Sequence, residues 1–100
     1  MTPFDHFKKS NTTDNLWLYI LYLAKKEPVW AYNLRSQIEK NFKFKPGMVS
    51  AYRVLYRLEM DGFVESQQEG RRRVYKITKK GEEELKKAIN FFEEIKEKLE

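Results

Sequence analysis

The sequence predicts a mainly α-helical chain with one small antiparallel β-hairpin, an α+β fold. Within residues 48–61, the apolar residues Ala51, Val54, Leu55 and Leu58 fall on one stripe of a helix, the side that faces a core. From residue 64 to 77, strand-forming residues flank a glycine-containing turn, which indicates a hairpin. From residue 85 onward, apolar residues recur every three or four positions, which predicts a last helix.

Length and composition indicate one compact unit and exclude several kinds of site. One hundred residues, 41% of them hydrophobic, give a small core that oligomerisation would help to stabilise. There is no cysteine and only one histidine, His6, so we expect no disulfide, metal or cofactor. The longest apolar run has nine residues, against about twenty for a membrane span, and no signal-peptide pattern is present. We therefore expect a cytoplasmic protein without a membrane partner.

The first long predicted helix is apolar on every side. It runs to Lys26, with Thr13 or Asp14 as its N-cap, so we expect it at the centre of the core or covered by a partner. The segment before it, Met1–Thr13, is polar apart from two phenylalanines and is either one helical turn or loose.

A second helix and a turn lead into residues 48–61. Glu27-Pro28 breaks the first helix, and Val29-Trp30 reads as a short extended piece. The second helix covers about Ala31–Asn41, and Pro46-Gly47 marks the turn that follows it. We expect Asp61-Gly62 to end the third helix through a left-handed glycine.

Basic and aromatic side chains occupy the exposed side of the helix at residues 48–61. A helix of this kind fits the DNA major groove, and a hairpin with a cationic shoulder can reach the flanking backbone or minor groove. This order of elements describes a winged helix-turn-helix, with residues 48–61 as recognition helix and residues 64–77 as wing. We divide the chain into a DNA-binding domain, residues 1–78, and an added C-terminal dimerisation helix, residues 79–100.

The positive charge is concentrated on the predicted DNA-binding unit. Residues 41–81 contain ten Lys/Arg and four Asp/Glu, a net charge of +6, whereas residues 82–100 contain four and seven, a net charge of −3. A basic patch confined to one part of a domain is typical of phosphate binding. The alternative to phosphate binding is that these lysines and arginines only keep the surface soluble.

The predicted DNA contacts differ in role. Arg53 is the expected base reader, since arginine bonds O6 and N7 of guanine together, and Ser50 and Tyr52 are expected at phosphates. Of the three arginines after the turn, we expect the first two at the backbone or minor groove and Arg73 to be least direct. The alternative for Tyr52 and Tyr56 is partial burial against the hairpin. The alternative for the three arginines is a solvated hairpin tip without a DNA contact. The full predicted set is Lys43, Lys45, Ser50, Tyr52, Arg53, Tyr56, Arg57, Arg71, Arg72 and Arg73.

The last helix carries an apolar heptad stripe that must be covered. A single chain of this length has little to cover its distal end, so we favour a homodimer over packing within the chain. The predicted interface consists of Leu16, Ile20, Leu85, Ala88, Ile89, Phe92, Ile95 and Leu99.

The sequence resembles the PadR family of transcriptional regulators in three segments. Pro28–Leu34 is similar to the family's turn into its second helix, with Ala31 where glycine is common. Ser50–Val64 resembles its recognition helix, with Arg53 where proline is frequent. Gly70–Gly81 resembles its wing and the cap of its last helix, and its single C-terminal helix is that of the short branch.

The resemblance implies a cytoplasmic repressor that binds a palindromic operator in double-stranded DNA as a homodimer. Some members of the short branch bind flat aromatic effectors between subunits, a role that Phe91 or Phe92 would serve here. A winged helix that contacts protein, or one that binds DNA without sequence preference, is the alternative. Nothing in the sequence indicates an enzyme, since it lacks paired carboxylates in an apolar setting and a phosphate-cradling glycine loop.

Overall fold

The computed structural model of the chain describes all residues, 1–100, as five helices and a three-stranded sheet, and it confirms the predicted fold class. The elements are α1 (Pro3–Ser10), a 3-10 turn (Thr13–Asn15), α2 (Leu16–Lys26), β1 (Val29–Trp30), α3 (Ala31–Phe42), α4 (Met48–Met60), β2 (Val64–Glu69), β3 (Arg72–Ile77) and α5 (Lys79–Leu99). None of these helices combines the length and the apolar character that a membrane crossing requires.

Helix α1 forms in the segment that the sequence left unassigned. It is capped reciprocally, because the Asp5 N–H donates to Thr2 Oγ1 at 3.1 Å and the Thr2 N–H donates to Asp5 Oδ2 at 2.9 Å. These hydrogen bonds lower the pKa of the Asp5 carboxyl. No residue of α1 is buried.

The predicted N-cap of the first long helix is wrong. Thr13 and Asp14 belong to a 3-10 turn, and α2 begins only at Leu16. The preceding residue, Asn15, makes no capping hydrogen bond, since its Oδ1 accepts a hydrogen bond from Trp17 Nε1 at 3.1 Å. A 3-10 turn, and not a threonine or aspartate side-chain cap, therefore leads into this helix.

Helix α2 lies at the centre of the core, as its all-round apolar character predicts. It packs against α3, α4, β3 and α5. Ile20 and Leu21 are completely buried, together with Leu34 of α3 and Leu55 of α4. The core is thus a cluster of helices around α2, closed on one side by Val64 and Tyr75 of the hairpin.

The sheet is antiparallel with strand order β1-β3-β2. The predicted extended piece Val29-Trp30 is confirmed as β1, and it pairs with Val74 and Tyr75 of β3. Strands β2 and β3 are joined by the two residues Gly70 and Arg71. Gly70 has a φ of +62°, which fits the first central position of a type II′ hairpin turn.

A junction joins the C-terminal end of α4 to the N-terminal end of α5. Gly62, with a φ of +83°, ends α4 as predicted. Thr78 caps α5 by accepting the Gly81 N–H at 3.1 Å, and its hydroxyl donates to the carbonyl of Gly62 at 2.7 Å. The Thr78 N–H donates to the carbonyl of Phe63 at 3.1 Å. Gly81 is buried at this junction, three residues after the Thr78 cap.

Candidate nucleic-acid interface

The turn between α3 and α4 is fixed by two features of its backbone. Lys43 ends α3 in the left-handed conformation with a φ of +62°, the only residue other than glycine with a positive φ. The carbonyl of buried Pro46 accepts a hydrogen bond from Arg35 Nε at 2.8 Å, which ties the turn back to α3. Lys43 and Lys45 are both exposed on this turn.

The start of α4 is open to an anion. Gly47 precedes the helix with extended backbone, and no side chain caps the first N–H groups. Unpaired N–H groups at a helix start carry partial positive charge and commonly bind phosphate. The exposed Ser50 lies in this first turn, and the lysines of the preceding turn add formal charge nearby.

Arg53 is the arginine of α4 that is free to bind. Its side chain is exposed, and it makes neither a hydrogen bond nor an ion pair within the chain. Arg57, one turn later, forms an ion pair with Asp61 (Nε to Oδ2, 3.2 Å). Both partners of that pair are largely exposed, so the pair contributes little to stability.

The two tyrosines of α4 lie one helical turn apart. Their ring centroids are 6.3 Å apart. Tyr52 is half-buried, whereas Tyr56 retains 47% of its exposure. Burial, followed by the neighbouring Glu59 and Tyr56, raises the pKa of the Tyr75 hydroxyl on the hairpin.

The three arginines of the wing differ in their contacts within the chain. Arg71 occupies the turn itself and is exposed without a partner in the chain. Arg72 places its guanidinium carbon 4.1 Å from the centre of the Trp30 ring, a cation–π contact. Arg73 donates to Ser66 Oγ at 3.0 Å, and the same hydroxyl bonds the Glu59 carboxylate of α4.

Sequence reasoning missed Trp30, Glu59 and Ser66 as parts of this surface. They hold Arg72 and Arg73 in place and connect the wing to β1 and to α4. Tyr32, 87% exposed in the first turn of α3, was also missed. Strand alternation separates Arg72 from its neighbours, but only the pairing of β1 with β3 brings the tryptophan ring to it.

The predicted dimer-interface residues divide into three groups by burial. Leu16, Ile20 and Leu85 are buried in the core of their own chain, with 0–4% exposure, so they have no free area to offer a partner. Ala88 is half-buried. The remaining four keep between 40% and 82% of their exposure, as does the neighbouring Phe91 with 58%; the four are Ile89, Phe92, Ile95 and Leu99.

An apolar groove of about 1370 Å³ runs between α2, α4 and α5. Its walls include Leu18 and Leu21 of α2, Val54 and Leu58 of α4, and Ala88, Phe91 and Phe92 of α5. Arg53 and Arg57 also line this groove on the α4 side. The structure therefore places the candidate base reader and the exposed stripe of α5 along one depression.

Comparison with protein families gives one family match. The sequence model of the "Transcriptional regulator PadR-like family" matches residues 20–87, from the middle of α2 into α5. This range contains the helix-turn-helix, the wing and the junction that caps α5. No curated protein matches the sequence at a significant level.

Several solved structures share the fold. A transcriptional regulator from Clostridium thermocellum has a TM-score of 0.76 and 21% identity, covering 99% of this chain and 95% of its own. A PadR-like transcriptional regulator from Bacillus cereus has a TM-score of 0.75 and 24% identity, covering 92% of each chain. Bacillus subtilis PadR, solved in complex with operator DNA, has a TM-score of 0.63 and 22% identity, covering 74% of this chain and 46% of its own.

Proposed function

Since the chain belongs to the PadR-like family of transcriptional regulators, we propose that it is a sequence-specific DNA-binding repressor. It acts in the cytoplasm as a homodimer on a palindromic operator, without catalysing a reaction. Helix α4 enters the major groove of each half-site, and the wing contacts the adjacent backbone or minor groove. The solved complex of Bacillus subtilis PadR with operator DNA supports operator binding as the activity of this fold.

The observation that carries the proposal is the unpaired Arg53 on the exposed side of α4. A guanidinium in the middle of a helix that fits the major groove can donate two hydrogen bonds to one guanine. Val49 and Met60, which are 68% and 79% exposed, lie on the same side of the helix and would contact base edges or thymine methyl groups.

Phosphate contacts position α4 in this proposal. The open N–H groups at the start of α4, together with Lys43, Lys45 and Ser50, face one strand. Arg71 at the wing tip, being free, reaches the backbone or minor groove beyond the half-site. Arg72 and Arg73, which are held by protein groups, shape the wing and add charge rather than direct contacts.

The homodimer is supported by the groove and by the uncovered stripe of α5. A second copy's α5 would pack against the α2 and α5 walls of the groove and leave its α4 wall to DNA, and it would bury Phe91 and Phe92, which the single chain leaves 58% and 43% exposed. Leu16, Ile20 and Leu85 contribute as the core beneath this contact rather than as its surface. If a small molecule regulates the dimer, a flat aromatic compound is the ligand class that suits a groove lined by Trp17 and these phenylalanines.

The test is fluorescence anisotropy on the protein's own promoter fragment and on scrambled DNA, at two salt concentrations. We expect tight promoter binding, weaker binding to scrambled DNA, and a steep loss of affinity with salt. Equal affinity for both fragments would indicate a protein that coats DNA. Binding to neither fragment would favour a winged helix that contacts another protein.

Two variants of Arg53 separate base reading from charge. Arg53→Ala should cost about 1–3 kcal/mol of discrimination at one base position per half-site. Arg53→Lys keeps the charge but loses the paired hydrogen bonds, so it should restore affinity for scrambled DNA without restoring the discrimination. If Arg53→Ala leaves the base preference unchanged, Arg53 is not a base reader.

A further inference from the structure

Helix α1 presents two phenylalanines that nothing in the single chain covers. Phe4 and Phe7 are 65% and 59% exposed, and their rings stack with centroids 6.3 Å apart. The reciprocal cap at Thr2 and Asp5 holds the helix in shape, so the pair is displayed on an ordered element. An ordered, uncovered aromatic pair on a short helix indicates a docking surface.

The distal half of α5 is the complementary surface. Beyond Leu85 no residue of α5 is buried, and Ile95 and Leu99 remain 40% and 82% exposed. The charges also match, because α1 ends in Lys8 and Lys9. The last ten residues carry four glutamates against two lysines. The apolar and acidic residues at the end of α5 thus complement the apolar and basic residues of α1.

The position of α1 connects this pair to the proposed dimer. Asn11, the C-cap of α1, and Asn15 line the groove in which the second copy's α5 is proposed to lie. The C-terminal end of α1 therefore lies at the rim of that groove. Its main contacts within its own chain are with the 3-10 turn, which leaves its aromatic face free for a second subunit.

We propose that α1 of each subunit closes over α5 of the other subunit, burying Phe4 and Phe7 against Ile95 and Leu99. This inference rests on the proposed homodimer and extends its interface to the N-terminal helix. The closed α1 adds apolar area at the end of α5 that lies farthest from the core. It also brings Lys8 and Lys9 to the glutamates of the partner.

The first experiment measures the dimer dissociation constant by sedimentation for the double variant Phe4→Gln, Phe7→Gln. Glutamine keeps the helix propensity and removes the apolar face. We expect the dissociation constant to rise by on the order of 10- to 100-fold, from the loss of two buried aromatic contacts. The matched control is Tyr32→Gln, which removes an even more exposed aromatic (87%) that does not line the groove and should leave the constant unchanged.

The outcomes separate this inference from the proposed function. If Phe92→Glu disrupts the dimer but the Phe4/Phe7 variant does not, the dimer stands and the closed α1 is wrong. If the wild-type protein is monomeric at all concentrations tested, the homodimer itself is wrong. If the Phe4/Phe7 variant keeps its dimer but loses binding to DNA or to lipid vesicles, the partner of α1 is that surface and not a second copy.

A second experiment locates the contact directly. The chain has no cysteine, so Lys8→Cys and Lys96→Cys provide single reactive thiols on α1 and α5. A short bismaleimide should link the two variants when they are mixed. Cross-linking confined to one chain, in a diluted variant that carries both cysteines, would show that α1 folds onto its own α5 and would overturn the proposal.

Discussion

Replacement of Gly81 by alanine tests the junction between α4 and α5 most directly. A Cβ at this position would lie 2.1 Å from the carbonyl oxygen of Phe63 and 2.7 Å from Cγ1 of Ile77. Ordinary van der Waals contact needs at least 3.4 Å, and the first of these atoms belongs to the backbone and cannot rotate away. The start of α5 must therefore move away from Phe63 by about 1 Å to accept one methyl group.

The size of the effect follows from what that movement disturbs. Overpacking of this kind typically costs about 1–3 kcal/mol. The movement also stretches the hydrogen bonds of Thr78 to Phe63 and Gly62, each worth about 1 kcal/mol. Alanine returns roughly 1 kcal/mol through its helix propensity. We expect a net loss of about 2–3 kcal/mol, a fall in Tm of about 10–20 °C for a chain of this length.

The assay is urea unfolding followed by circular dichroism, at a fixed protein concentration because the proposed dimer makes stability concentration-dependent. Gly70→Ala is the matched control. Its Cβ would meet nothing within 4 Å, and its φ of +62° costs only about 1–2 kcal/mol. If Gly81→Ala proves as stable as the wild type, or more stable, helix propensity dominates and the close approach does not exist in solution.

The remaining predictions concern the dimer, the turn and the wing. Phe92→Glu places a charge in the exposed stripe of α5, so sedimentation should show monomers and anisotropy should show loss of tight operator binding; a variant that remains dimeric would exclude α5 as the interface. Lys43→Gly places glycine in the left-handed conformation that Lys43 adopts, so it should stabilise the chain by about 1 kcal/mol. It also removes one positive charge, so the slope of log DNA affinity against log salt concentration should become shallower by about one. Trp30→Ala removes the ring beneath Arg72, so hydrogen exchange in β3 should accelerate and DNA affinity should weaken; unchanged exchange would show that the stack does not order the wing.

Local patterns in the sequence predict the DNA-binding unit well because its signals are strong and short-ranged. The helix predicted for Met48–Asp61 is observed as Met48–Met60, and the one predicted for Ala31–Asn41 as Ala31–Phe42. Gly62 ends α4 as expected because an exposed left-handed position favours glycine. These features depend on neighbouring residues, which a sequence displays directly.

Two kinds of feature were not predicted: a helix without a core-facing pattern, and contacts that depend on the pairing of distant segments. Helix α1 has no buried residue and therefore no core-facing period to reveal it, although its cap at Thr2 and Asp5 was a readable signal. The stacking of Arg72 on Trp30 requires β1 to pair with β3 across more than forty residues of sequence. The burial of Leu16 and Ile20 within one chain likewise depends on how α5 packs over α2.

The junction at Gly62, Thr78 and Gly81 has a consequence for operator choice. Its hydrogen bonds join the end of α4 to the start of α5, so the proposed recognition helix and the proposed dimer helix are coupled. In a symmetric dimer the spacing of the two recognition helices must match half-sites about 34–36 Å apart, or a multiple of that distance. A shift of α5 by about 1 Å changes this spacing without touching a DNA contact. Gly81→Ala should therefore weaken operator binding more than binding to scrambled DNA, measured at a temperature where the variant is folded. Equal weakening of both would show that the junction supports stability alone.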